Sequence, residues 1–216
     1  DMQDTFYLER PAKGTLPDLE LVKKIKSTHE KGWKTGSTGW GYQWKEEEAQ
    51  RLVLRTHTTA STVRALAENP NPPRKVFCVG RVFRNETISY KHLPEFHQVD
   101  GIIIDKDASF ATLLGTLREF YRKMGFQEVK FKPAFFPYTE PSAEVFVWME
   151  QKKAWIELGG SGIFRPEVTE PLGCKYPVLA WGLGLERLAM LRYNLSDIRE
   201  LYWSKVDWLK EVPLCQ

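Results

Sequence analysis

The stretch RVFRNETISYKHLPEFHQVDG, Arg81 to Gly101, sets two runs of strand composition on either side of a polar segment. RKVFCVGRVFRNE leads into it and FHQVDGIIID leads out, with TISYKHLPE between them, so the pattern predicts an antiparallel hairpin with a long loop. Side chains two apart on a strand share a face. Arg84 and Glu86 then point one way, and Phe96, Gln98 and Asp100 line one face of the returning strand. One side of the sheet becomes a polar floor. Alone, that floor also describes the solvated face of an edge hairpin, where opposite charges pair across strands for about 0.2–1 kcal/mol per pair.

Outward from the hairpin, the chain mixes helices with mostly consecutive strands. LPDLELVKKIKSTHEKG has Pro17 and Asp18 at a helix start, Leu19, Val22 and Ile25 at helical spacing, and Gly32 as a stop. GWKTGSTGWGYQWKEEE is too rich in glycine for a regular element and too aromatic for a linker, which predicts an ordered loop with docked indoles. RLVLRTHTTASTVRALAENP reads as a strand to about His57, then a helix capped by Thr58 or Thr59 and ended by Asn69 and Pro70. Beyond the hairpin, Asp107 is the expected cap of the helix ASFATLLGTLREFYRKMG, whose Phe110, Leu113, Leu117, Phe120 and Met124 share a face. EVKFKP, AEVFVWME and KAWIELG read as strands, the last two as a hairpin, and PVLAWGLGLERLAMLRYN passes from strand to helix through Gly182 and Gly184. Strands gather in the middle with helices flanking them, the pattern of an α+β fold with a largely antiparallel sheet. A Rossmann fold would need regular alternation of strand and helix.

The 216 residues, 42% hydrophobic and 27% charged, are the size of one large globular domain. No apolar run reaches the roughly 18 residues of a membrane span, and DMQDTFYLERP lacks the order of a secretion signal, which predicts a cytoplasmic protein. Cys78, Cys174 and Cys215 are far apart and odd in number, fitting reduced thiols better than a disulfide framework. A net charge of +3 permits a polyanionic partner without requiring one. DMQDTFYL alternates like a strand with nothing before it, so residues 1–216 are expected to be a single domain cut from a longer protein.

WGLGLERL supplies a second signal. Glycines at a strand-to-helix turn let a ligand approach the backbone, and a helix N-terminus favours anions, so Arg187 in the first turn stands where phosphate is well tolerated. The pattern is not a P-loop. Two separated arginines, each beside a carboxylate and near glycines, point to a nucleoside triphosphate.

These residues also carry a family likeness. GRVFRNETISYKHLPEFHQVDG resembles motif 2, and LAWGLGLERLAML resembles motif 3, of class II aminoacyl-tRNA synthetases. LRTHTTASTVRAL, FFPYTEPSAEVF, ELGGSGIFRPEV and YNLSDIRELY resemble the catalytic α subunit of phenylalanyl-tRNA synthetases of the archaeal and eukaryotic type. The likeness runs in order over nearly the whole chain; DMQDTFYL resembles the tail of motif 1, whose first half is missing.

The resemblance implies an ATP-dependent ligase that activates L-phenylalanine and transfers it to tRNA(Phe), with a β subunit in an α2β2 assembly. For ATP it implies Arg84 on the α-phosphate, Arg187 on the γ-phosphate and one adenine face, Phe96 on the other face, and Glu86, His92, Gly182, Gly184 and Glu186 nearby. For the amino acid it implies Thr59, Gln98, Val99 and Asp100, with Glu86 a further contact to the ammonium. Asp100 stands where many family members have Glu, one methylene longer. Phe136, Tyr138 and Phe164 would form the slot for a phenyl ring, with Ala180 as its small floor; the same rings also fit an ordinary aromatic core. Glu140 matches a magnesium-ligand position. Two alternatives stay open: a related synthetase for another amino acid such as O-phosphoserine, and a non-catalytic synthetase-like binding module.

Overall fold

In the computed structural model of the protein, residues 4–203 and 205–213 are described. Helix α1 (Leu19–Lys31) starts where its sequence says: the Asp18 carboxylate accepts the Leu21 N–H at 3.0 Å. It ends at Gly32, whose φ of 76° and contact with the Ser37 backbone leave no room for a Cβ. The Trp-rich loop is tied to the end of α1 through Trp40 N–H to His29 O at 2.8 Å and Trp44 N–H to the Glu30 carboxylate at 3.1 Å. Its indoles are unevenly docked: Trp33 and Trp44 are partly buried. Trp40 stays half exposed, with the Arg165 guanidinium 5.6 Å from its ring centre.

After the short α2 (Glu46–Gln50), the strand expected up to His57 reduces to two isolated bridges, Lys13 with Arg51 and Tyr7 with Val53. Leu52 accepts from Leu8 and donates to Ala12, so the partner stretch bulges out between the bridges and a regular ladder cannot form. Helix α3 (Thr59–Glu68) follows, between Thr58 and Asn69.

The hairpin is β1 (Arg74–Phe83) against β2 (Glu95–Ile104), paired from Arg74 with Ile104 to Phe83 with Glu95. β1 stops three residues short of the end of RKVFCVGRVFRNE, so Arg84 and Glu86 lie past it. Arg84 donates its N–H to Pro94 O at 2.9 Å, but a proline has no N–H to return, and the ladder stops there. Helix α4 (Phe110–Lys123) is capped by Ser109, whose Oγ accepts the Thr112 N–H at 3.2 Å. Asp107, the expected cap, instead donates its own N–H to the Asp105 carboxylate.

Strands β3 (Val129–Pro133), β4 (Thr139–Met149) and β5 (Ala154–Phe164) form a meander, and β5 continues through the glycines well beyond KAWIELG. The four-residue α5 (Pro166–Thr169) leads to β6 (Val178–Gly184), α6 (Leu185–Arg192), a 3₁₀ turn at Ile198–Leu201 and α7 (Val206–Glu211). All six strands make one antiparallel sheet in the order β1-β2-β6-β5-β4-β3. Because β6 slots between β2 and β5, residues far apart in the chain meet on one floor.

The sheet separates two cores. On one face α4 and α6 pack Leu113, Leu117, Tyr121, Leu188 and Leu191 against Val145, Val147, Leu179 and Leu183. Each such aliphatic side chain, fully buried, contributes about 1.5–3 kcal/mol. On the other face a smaller core joins Leu66 of α3 to Ile102, Ile104, Phe164 and Val178. That second core leaves part of its face open for a cavity. Cys78 and Cys174 are free thiols, while Cys215 lies outside the described residues, as do the first residues of DMQDTFYL.

Candidate active site

Across the sheet, Asp100 pairs with Gly182 and Gly182 pairs with Gly160, so two positions without side chains sit beside the carboxylate. A Cβ on Gly182 would stand 3.5 Å from both Asp100 Oδ2 and Gln98 Nε2, and one on Gly160 only 2.5 Å from Phe136 Cζ. The glycines let a cavity of about 440 Å³ open over the centre of the floor.

One end is aromatic and buried. Tyr138 sits between Phe136, at 6.4 Å and nearly parallel, and Phe164, at 6.3 Å and edge-on. Ala180, 6% exposed, forms part of the wall. Next to this slot Asp100 is 2% exposed, and both of its oxygens are held by hydroxyls from one face of α3: Thr59 Oγ1 donates to Oδ2 at 2.6 Å and Thr62 Oγ1 to Oδ1 at 2.5 Å. Burial pushes the Asp100 carboxyl above the usual range, and the two hydroxyls pull in the opposite direction. Gln98 accepts the Thr58 N–H at 3.2 Å through Oε1, which fixes its amide and turns Nε2 toward Gly182. His57 lies edge-on to Tyr138, and burial, then the charge of Arg84, lower its pKa to about 4, so its ring is neutral near pH 7.

The other end is cationic and more open. Arg84 places its guanidinium 5.1 Å from the Phe96 ring centre and donates through Nε to Thr56 O at 3.3 Å. Arg187 enters from the first turn of α6 and donates through Nη1 to Glu157, both to its carbonyl at 3.0 Å and to its carboxylate at 2.5 Å. Lys91 and His92, exposed in the loop after β1, complete this end. Arg84 and Arg187 therefore face the same cavity.

The structure brings Thr59, Arg84, Glu86, His92, Phe96, Gln98, Asp100, Phe136, Tyr138, Phe164, Ala180, Gly182, Gly184, Glu186 and Arg187 to the lining. Val99 is not among them: it alternates to the opposite face between Gln98 and Asp100. Glu140 is also outside the lining and exposed, although Thr139 beside it lines the cavity. No group of three or more His, Cys, Asp or Glu side chains that could hold a metal occurs among the described residues. Glu186 lines the cavity, yet its carboxylate is occupied by His97 N–H at 2.8 and 2.9 Å, His97 Nδ1 at 2.8 Å and the Tyr202 hydroxyl at 2.5 Å.

Several lining or supporting residues escaped the sequence reading, among them His57, Thr62, Lys91, Glu144 and Glu157. Thr62 had a usable signal, since it stands three residues from Thr59 on the same helical face. Glu157 had none. The pairing of β4 with β5 skips Leu158, an extra residue that resets the alternation between Glu157 and Gly160.

An antiparallel platform that gathers arginines from a hairpin and from a strand-to-helix turn is the architecture of class II tRNA synthetases. Residues 1–212 match the class II core domain of tRNA synthetases (F), and the chain belongs to that family. A pyrrolysyl tRNA synthetase of Desulfitobacterium hafniense shares the fold with a TM-score of 0.54 at 21% identity, over 68% of this chain and 52% of its own. Phenylalanine–tRNA ligase α subunits are far more similar in sequence. That of Methanopyrus kandleri is 59% identical over 99% of this chain, and that of Archaeoglobus fulgidus 56% identical over 100%. The chain spans less than half of these relatives, 41% and 45% of their lengths.

Proposed function

We propose that the chain is the catalytic core of a phenylalanine–tRNA ligase α subunit, which activates phenylalanine with ATP and passes the acyl group to tRNA(Phe). The observation that carries this reading is a single cavity with Arg84 and Arg187 at one end and Asp100, Gln98 and an aromatic slot at the other. The ring of phenylalanine fits among Phe136, Tyr138 and Phe164, and its ammonium meets Asp100 and the Thr59 hydroxyl. Its carboxylate then points toward Arg84. One carboxylate oxygen attacks the α-phosphorus in line, the bond to the bridging oxygen of the β-phosphate breaks, and pyrophosphate leaves. Arg84 and Arg187 stabilise the charge that moves during this step. In the second step the terminal ribose hydroxyl of tRNA takes the acyl group and AMP leaves.

Magnesium that travels with ATP needs only one or two protein carboxylates. Glu86 and Glu144 suit it, being cavity-facing carboxylates whose side chains make no hydrogen bond or ion pair among the described residues. A phosphorylated side chain such as that of O-phosphoserine would meet aromatic rings in the slot where it needs cations. The α-subunit names of the relatives support a β-subunit partner, and an α2β2 assembly is the form we propose. No described helix is long and apolar enough to cross a membrane, and a cytoplasmic site of action fits the reaction.

The test is ATP–pyrophosphate exchange with each of the twenty amino acids, with and without the β subunit. Phenylalanine is expected to drive exchange in the complex. Exchange driven by another amino acid, or by none, overturns the reading.

A further inference from the structure

We infer that the 3₁₀ turn at Ile198–Leu201 and the tyrosine after it form a clamp that positions the nucleotide end of the cavity, with Ile198 and Tyr202 as positioning residues. The inference rests on the ATP-dependent reading of that end. It starts from a segment, YNLSDIRELY, for which the proposed chemistry has no use.

The turn is braced from within. Asp197 accepts the Arg199 N–H at 2.9 Å while Glu200 accepts the Asp197 N–H at 3.3 Å, a reciprocal cap, and the Arg199 guanidinium grips both Asp197 oxygens. From this rigid base two arms extend. Ile198 donates its N–H to Tyr90 O at 3.0 Å, in the loop that carries Lys91 and His92, and its buried side chain lines the cavity. Tyr202 donates its hydroxyl to Glu186 Oε1 at 2.5 Å, one residue before Arg187.

Glu186 explains why the second arm matters. Glu186 is 6% exposed, and its carboxylate takes donors from two remote segments, His97 on β2 and Tyr202 after the turn. A buried carboxylate is held in place by its donors, and losing one leaves charge undersatisfied. The loop after β1, with Lys91 and His92, and the first turn of α6, with Arg187, both line the cavity. The turn touches both, so it sets the distance between Lys91 and His92 on one side and Arg187 on the other. Among the described residues, no hydrogen bond or ion pair joins Ile198–Leu201 to Asp100 or to the aromatic slot.

The experiment measures ATP binding at equilibrium and ATP–pyrophosphate exchange on the complete protein with its partner subunit, for Tyr202→Phe, Glu186→Gln and the double variant. Tyr202→Phe is expected to raise the Kd and KM for ATP about tenfold, the size of one charge-assisted hydrogen bond of about 1.4 kcal/mol. The KM for phenylalanine should stay within about twofold, since the clamp acts on one end only. The double variant should bind ATP no more weakly than the worse single variant, because the Tyr202 hydroxyl acts through the Glu186 side chain. An unchanged ATP Kd in Tyr202→Phe, additive losses in the double variant, or equal rises in both KM values would overturn the clamp. A wild-type protein that binds ATP without phenylalanine-dependent exchange would refute the proposed ligase, while the ATP Kd values would still decide the clamp.

Discussion

The two ends of the cavity are built by opposite means. At the amino-acid end the key polar groups are held before a substrate arrives: Asp100 and Gln98 are buried, and their partners are two α3 hydroxyls and the Thr58 backbone at the start of that helix. At the nucleotide end Arg84 is held by one longer hydrogen bond and a ring, and Arg187 by a carboxylate that is itself partly exposed. Under the proposed reaction, the difference follows from what each end would have to do. Rejecting a wrong side chain needs a rigid pocket with satisfied polar groups, since a loose one adapts. Gripping a triphosphate that must leave as pyrophosphate needs charge on long arms, where geometry can follow the moving charge.

The contrast can be broken most sharply at Arg84. Arg84→Ala is expected to lower phenylalanine-dependent exchange by about a thousandfold or more, the scale of a lost electrostatic donor to a transition state. Thermal unfolding should move little, because the side chain is anchored by a single 3.3 Å hydrogen bond. Retained exchange would remove Arg84 from the reaction.

Asp100→Asn should split the two ends. The KM for phenylalanine is expected to rise about a hundredfold, from a lost charge-assisted contact, while ATP binding stays near the wild-type value. Stability gives an independent check on burial. The folded pKa of Asp100 lies above its unfolded value, so the carboxyl favours the fold only while protonated and loses that contribution as pH rises through the folded pKa. The wild type should therefore gain on Asp100→Asn as pH falls toward 4; urea unfolding at several pH values measures this. The opposite trend would mean that the hydroxyls outweigh burial.

The smallest effect is expected at His57. Its folded pKa of about 4 lies below the ordinary 6.5, so the unfolded chain binds the proton more readily and stability is lost as pH falls through that window. Between pH 7 and pH 5 the loss from this group is about 2 kcal/mol, and His57→Asn should flatten that part of the profile. An unchanged slope would mean that His57 is more open to water than its surroundings indicate.

Much of the floor was legible because strand parity is strict. Phe96, Gln98 and Asp100 share a face in sequence and in structure, and the same rule, applied consistently, would have excluded Val99. Thr59 and the glycine pair were legible through position at helix and strand ends. Parity fails where the backbone breaks it: it assigns Arg84 and Glu86 to a strand that ends at Phe83, and the extra residue at Leu158 conceals Glu157. The Glu186 network could not be read at all, because its partners meet only after β6 has slotted between β2 and β5. Local patterns say which way a side chain turns; they do not say what it meets.

Pro94 has a consequence for how such sites diversify. By refusing the return bond to Arg84, it insulates the register of the paired strands from the connector between them. Residues can be gained or lost from 85 to 93 while the polar stripe of β2 keeps its orientation, so the connector can change length without turning Gln98 and Asp100 off the floor.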